Sequence, residues 1–146
     1  MIAYLDSSAL VKRYVEEAGS SEVAELLEQA ELVGTAVITR VEVAAALSKA
    51  IRARSLSREE ADAAFRAMQL DWESLVRLQL TELLISRAAW LAWQHGLRGY
   101  DATHLAAALL WSEMLGEPIA VATYDRQLWK VARDTGLQTF PPRKQP

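Results

Sequence analysis

Four acids in this 146-residue sequence, Asp6, Glu42, Asp101 and Asp125, lie just beyond β-favouring runs or at the starts of helical runs. Open parallel sheets bind ligands in the crevice beyond the carboxyl ends of their strands, so side chains at such positions can meet there. Each acid also has a purely local explanation. Asp is a favoured N-cap and acids complement the helix dipole; Thr39-x-x-Glu42 fits a capping box, as does Ser57-x-x-Glu60, which we read as structural only. If the four converge, mutual repulsion raises their pKa values unless a cation neutralises them. A hard divalent ion, Mg²⁺ or Mn²⁺, takes oxygen ligands and commonly acts on phosphates, which points toward phosphoester chemistry. The sequence has no cysteine and only His95 and His104. Thiolate nucleophiles, disulfides, cysteine-based zinc sites and a three-histidine zinc site are thereby excluded.

The elements that must position these acids alternate along the chain. Ile2–Leu5 reads as a strand ending at Asp6, followed by a helix over 9–14 and another from Ser20 to about Ala30, with Val23, Leu26 and Leu27 as its apolar stripe. Leu32–Ile38 reads as a buried strand, Thr39 to about Ala53 as an Ala-rich helix, and Ser57 to about Trp72 as the next. Leu75–Leu80 fits a strand near a sheet edge, and Thr81–His95 a helix. Asp101 opens an apolar helix stopped by Gly116; Ile119–Thr123 is a strand, Asp125 heads the helix 126–134, and Leu137–Phe140 is a further strand. Neither a repeat nor a linker interrupts this alternation. It predicts one domain over residues 1–140 with a tail at 141–146: a three-layer α/β/α sandwich around a mostly parallel sheet of four or five strands.

Other residues have weaker signals. Ser7 and Ser8 either cap locally or, with the amides opening the first helix, hold a phosphate oxygen. His104, three residues after Asp101, is read as packed or as supporting an acid from behind rather than as a ligand, and His95 as a helix-end residue. The net charge of −3 argues against a generally basic surface, so cations must act locally. Candidates near the crevice are Lys12, Arg13, Arg40, Arg98 and Arg126; Lys49, Arg52, Arg54 and Arg58 read as a solvated face. Glu16, Glu17, Glu22, Glu25, Glu28 and Glu31 would repel a polyanion. Trp90 and Trp93 sit on a helix that is apolar nearly all round, which makes a homodimer contact plausible; Trp72, Trp111 and Trp129 are assigned to packing. The N-terminus lacks a basic leader segment, and Leu105–Trp111 falls far short of the ~20 apolar residues of a membrane span. The expectation is a cytoplasmic protein with no membrane partner.

Taken in order, Tyr4-Leu5-Asp6-Ser7-Ser8-Ala9-Leu10-Val11-Lys12, Thr39-Arg40-Val41-Glu42-Val43, Tyr100-Asp101-Ala102-Thr103-His104-Leu105-Ala106-Ala107-Ala108 and Thr123-Tyr124-Asp125-Arg126-Gln127-Leu128 resemble PIN-domain proteins of the VapC toxin ribonuclease type. The resemblance runs from Ile2 to about Phe140. It implies an Mg²⁺- or Mn²⁺-dependent endoribonuclease, usually homodimeric and inhibited by a cognate VapB-type antitoxin. It also implies that Asp6, Glu42, Asp101 and Asp125 form the acidic quartet, that Thr123 supports the last acid, and that Ser7 and Ser8 are the hydroxyls following the first. In the chemistry so expected, Asp6, Asp101 and Asp125 mainly bind metal. Glu42 holds or deprotonates a water that attacks the RNA in line, leaving a 5′-phosphate and a 3′-hydroxyl. Two other readings compete. A haloacid-dehalogenase-like phosphatase also places an Asp after its first strand but requires a second Asp where Ser8 stands; a receiver-like or inactive PIN-like scaffold would only dock a partner.

Overall fold

The structure is a computed structural model that describes residues 1–143. Its five strands are β1 (Ile2–Leu5), β2 (Leu32–Ala36), β3 (Val76–Leu78), β4 (Ala120–Ala122) and β5 (Gln138–Phe140), in the sheet order β3-β2-β1-β4-β5 with every neighbouring pair parallel. The helices are α1 (Ser7–Leu10), α2 (Ser20–Gln29), α3 (Thr39–Arg52), α4 (Arg58–Asp71), α5 (Glu82–His95), α6 (Gly99–Leu115) and α7 (Arg126–Asp134). The α/β sandwich expected from the alternation is the fold found, and the fifth strand is present.

All of β1 is buried, as a central parallel strand covered on both faces must be. Its side chains alternate between the two halves of the core: Ile2 and Tyr4 pack with Leu105, Trp111, Val121 and Leu128, whereas Ala3 and Leu5 pack with Leu10, Val23, Val43 and Met68. One layer is therefore α5, α6 and α7, and the other is α1 to α4. Close packing of the first layer depends on Gly34 in β2, where an added Cβ would stand 2.6 Å from the Trp111 ring.

The chain builds the sheet outward from β1 to β3, then crosses back to lay down β4 on the other flank of β1. Between β1 and β4 the connections diverge, which opens a crevice at the strands' carboxyl ends. Several boundaries differ from the sequence reading. Asp6 caps α1 directly by accepting from the Ala9 amide at 3.0 Å, so that helix starts at Ser7 and tightens into a 3-10 turn at Val11–Arg13. β2 stops at Ala36 because Thr35 turns its hydroxyl to the Leu5 carbonyl and to Thr39, both at 2.7 Å, as the chain bends into α3. β3 is only three residues long and lies at the sheet edge. α6 begins at Gly99, with Arg98 as its cap residue, so Asp101 stands in the first turn rather than at the cap.

Trp72, Trp111 and Trp129 are packed, but Trp90 and Trp93 are 63% and 85% exposed. Pro141 is buried and its carbonyl accepts from the Trp129 indole at 2.8 Å; residues 144–146 of the expected tail lie outside the described residues. Among the described residues, no helix is long and apolar enough to cross a membrane.

Candidate active site

The crevice beyond β1 and β4 is an open cleft of about 590 Å³ lined by Asp6, Ser7, Ser8, Glu42, Arg98, Asp101 and Asp125 together with Gly99, Tyr100 and Thr103. Segments far apart in sequence therefore bring all four expected acids to one cavity. Asp6 and Asp125 are caps as well as cleft residues: the Asp125 carboxylate accepts from the Leu128 amide at 2.9 Å and so fixes the start of α7. The local and functional explanations coexist, because a capped helix start holds its carboxylate rigidly at the sheet's edge. For Glu42, in the first turn of α3, the capping-box explanation fails. The capping box forms at Ser57 and Glu60, but the Thr39 hydroxyl is engaged by Thr35, and the Glu42 carboxylate lies 2.6 Å from His104 Nε2.

Asp6 is the most enclosed of the four, only 3% exposed. One oxygen accepts from Ser8 at 2.7 Å and from the Ala9 amide; the other accepts from Thr123 at 2.5 Å. Burial pushes its carboxyl pKa up, and His104 together with these hydrogen bonds offsets part of the rise. Thr123 is shared: its oxygen accepts from the Asp125 amide at 3.1 Å while its proton goes to Asp6. Ser8 is likewise committed, accepting from the Tyr124 amide at 2.8 Å, so the Ser8 hydroxyl and the Ala9 amide serve Asp6 rather than standing open for a phosphate. Ser7 lines the cleft.

Asp101 is raised by burial first, then by Asp125 and, more weakly, by Asp6; Arg98 opposes the rise. The Arg98 guanidinium bridges two of the acids, with Nε 3.0 Å from Asp101 and Nη2 2.5 Å from Asp125, while remaining 74% exposed on its side chain. Among the described residues, no three ligating side chains converge tightly enough to share one ion. The donor set nevertheless fits a hard cation: every cleft acid offers carboxylate oxygen, and the repulsion that lifts Asp101 is what a cation would relieve.

The remaining cations are placed elsewhere. Arg40 does not line the cleft; its guanidinium lies 5.7 Å from the Trp72 ring centre. Lys12 binds Glu17 at 2.9 Å and the Ala18 carbonyl at 2.7 Å, and Arg13 binds Asp71 at 2.6 Å. Arg126 is exposed at the start of α7. Tyr4 and Thr103 are site components that the sequence reading did not single out: Thr103 lines the cleft and bonds the Gly99 carbonyl, and Tyr4 bonds His104 from inside the sheet. No local signal marks either, since both read as ordinary core and helix residues.

The PIN domain profile matches residues 3–134. Ribonuclease VapC45 of Mycobacterium tuberculosis (strain CDC 1551 / Oshkosh) is 34% identical over 146 residues, covering 99% of both chains. The chain belongs to the PIN domain family and is a VapC-type member of it. Two solved structures share the fold: VapBC2 from Rickettsia felis bound to a DNA fragment from their promoter, and a toxin–antitoxin complex from Klebsiella pneumoniae. The first is 15% identical with a TM-score of 0.63, covering 95% of this chain and 97% of the other. The second is 13% identical with a TM-score of 0.63, covering 98% and 99%.

Proposed function

We propose that this chain is an Mg²⁺- or Mn²⁺-dependent endoribonuclease, the toxin of a toxin–antitoxin pair, acting in the cytoplasm as a homodimer. The observation that carries the reading is the single cleft lined by Asp6, Glu42, Asp101 and Asp125. The name of the 34% identical relative supports the ribonuclease, and a fold shared with toxin–antitoxin assemblies supports a VapB-type antitoxin as partner.

In this reading Asp6, Asp101 and Asp125 would hold the cation, and Glu42 would orient the attacking water and accept its proton. The bound cation would supply charge neutralisation at the phosphodiester and acidify water. Ser8 and Thr123 hold the two oxygens of Asp6 in fixed directions, and Thr123 also fixes the Asp125 backbone. Arg98 acts as the counter-charge for Asp101 and Asp125, and its exposed guanidinium, if released from them, would be free to meet an RNA phosphate. Ser7 faces the same cleft as a further hydroxyl for substrate. Arg40, outside the cleft lining, belongs to this scheme only as a contact for RNA extending past the cleft.

The phosphatase alternative loses support from Ser8, which occupies the position of the required second acid and spends its hydroxyl on Asp6 and the Tyr124 amide. The test is to sequence the ends of RNAs incubated with the purified chain and Mn²⁺, with EDTA and Asp6→Asn as controls. Cuts bearing 5′-phosphates that vanish in both controls are expected. Equal cutting by Asp6→Asn overturns the site, and intact RNA with an unimpaired antitoxin complex favours an inactive scaffold.

A further inference from the structure

Behind the cleft, a chain of two short hydrogen bonds runs from the central strand to Glu42. The Tyr4 hydroxyl lies 2.7 Å from His104 Nδ1, and His104 Nε2 lies 2.6 Å from Glu42 Oε1. Tyr4 and His104 are 0% and 1% exposed and are distant in sequence, and their rings meet edge to face at 5.9 Å. Two buried polar side chains in an otherwise apolar layer are costly unless each is satisfied by the other. Among the described residues, Nδ1 is the only acceptor hydrogen-bonded to the Tyr4 hydroxyl. A phenol, with an ordinary pKa of about 10, carries its proton at neutral pH.

The direction of both bonds follows. If Nδ1 carried a proton, it would face the phenol's oxygen and the phenol's own buried proton would lack an acceptor. With the phenol donating to Nδ1, the ring's hydrogen sits on Nε2 and points at the Glu42 carboxylate. Oε1 is thereby held, and the other oxygen is left for the cleft that Glu42 lines.

We propose that Tyr4 and His104 are positioning residues for the reaction: Tyr4 fixes the His104 tautomer, and His104 Nε2–H in turn fixes the Glu42 carboxylate in the cleft. This rests on the ribonuclease reading for its kinetic consequence, whereas the tautomer is a property of the folded chain alone. Supporting partners of this kind, when removed, typically change affinity or activity about 10- to 100-fold.

The test combines ring-nitrogen NMR of the full ¹⁵N-labelled chain at neutral pH with steady-state RNA cleavage. The wild type is expected to show a protonated, pyrrole-type Nε2 and a bare Nδ1 for His104, assigned by comparison with His95→Gln. Tyr4→Phe is expected to shift that pattern toward the other tautomer and to lower kcat about tenfold or more with little change in KM. His104→Gln, whose amide can still donate toward Glu42, is expected to retain more cleavage than His104→Leu, with thermal melts showing that both are folded. A wild-type His104 protonated on Nδ1 overturns the proposal, as does a Tyr4→Phe chain with unchanged tautomer and kcat. A wild type that folds but cuts no RNA with any divalent ion instead overturns the ribonuclease reading, and the nitrogen spectra then decide the Tyr4–His104 assignment by themselves.

Discussion

Thr123→Val is nearly isosteric, yet it removes both the hydroxyl proton that Asp6 accepts and the oxygen that receives the Asp125 amide. A hydrogen bond to a charged group contributes about 1.5–3 kcal/mol and a stranded amide costs about 1–3 kcal/mol; with the Asp125 amide reaching water in part, the expected loss is about 2–4 kcal/mol. For a chain of this size 1 kcal/mol shifts Tm by roughly 2–4 °C, so the melt should fall by roughly 5–15 °C. The loss depends on pH. Burial raises the folded Asp6 carboxyl, so the native state binds a proton more tightly than the unfolded chain; that contribution to stability is full below the unfolded value of about 4 and is lost as pH rises through the folded pKa. Thr123 is one of the groups that hold this pKa down, so its removal lifts it further and the variant declines more as Asp6 ionises. Urea unfolding of the wild type, Thr123→Val and Thr123→Ser at pH 4 and pH 8 measures this. Thr123→Ser should track the wild type, and the deficit of Thr123→Val should widen toward pH 8. An equal deficit at both pH values, or a serine variant as weak as the valine one, would refute the assignment of Thr123 as the support of a charged Asp6.

A Mn²⁺ titration followed by thermal melting should raise Tm by roughly 5–11 °C at a free concentration 100 times Kd, equivalent to about 2.7 kcal/mol, and Asp101→Asn should flatten that response. Asp101→Asn should also reduce RNA cleavage at least about 100-fold, measured as initial rates at saturating Mn²⁺; activity within twofold of wild type would remove Asp101 from the site. Arg98→Ala should bind Mn²⁺ more tightly by calorimetry, because the guanidinium no longer competes for Asp101 and Asp125, and unchanged affinity would show that the bridge is incidental. Gly34→Ala should destabilise the fold by about 1–3 kcal/mol in urea, since the new methyl meets the rigid Trp111 ring rather than a flexible chain end.

The strand–helix alternation was legible because buried parallel strands such as β1 read as unbroken apolar runs, and because turns beyond them begin with capping acids. Asp6 and Asp125 were legible for the same reason, as carboxylates just past an apolar strand, whereas Glu42 and Asp101 were legible as acids in the first turns of α3 and α6. What escaped the sequence depends on side chains meeting from distant segments. Arg98, in the turn between α5 and α6, reaches Asp125 at the start of α7, and Tyr4 meets His104 only once α6 lies on β1. The Thr39–Glu42 spacing suggested a box, but buried Thr35 offered Thr39 a better partner and His104 claimed Glu42. Arg40 stands near a strand end as expected, yet the Trp72 face holds its guanidinium away from the cleft lining.

The bond from Thr123 to Asp6 joins residues 117 positions apart, and β4 must slot against β1 before it can form. During synthesis the first acid thus leaves the ribosome long before its hydroxyl support and the final acid exist. A nascent chain therefore lacks the complete cleft, because no length short of Asp125 holds all four acids. Any brake on translation ahead of β4 would keep it incomplete.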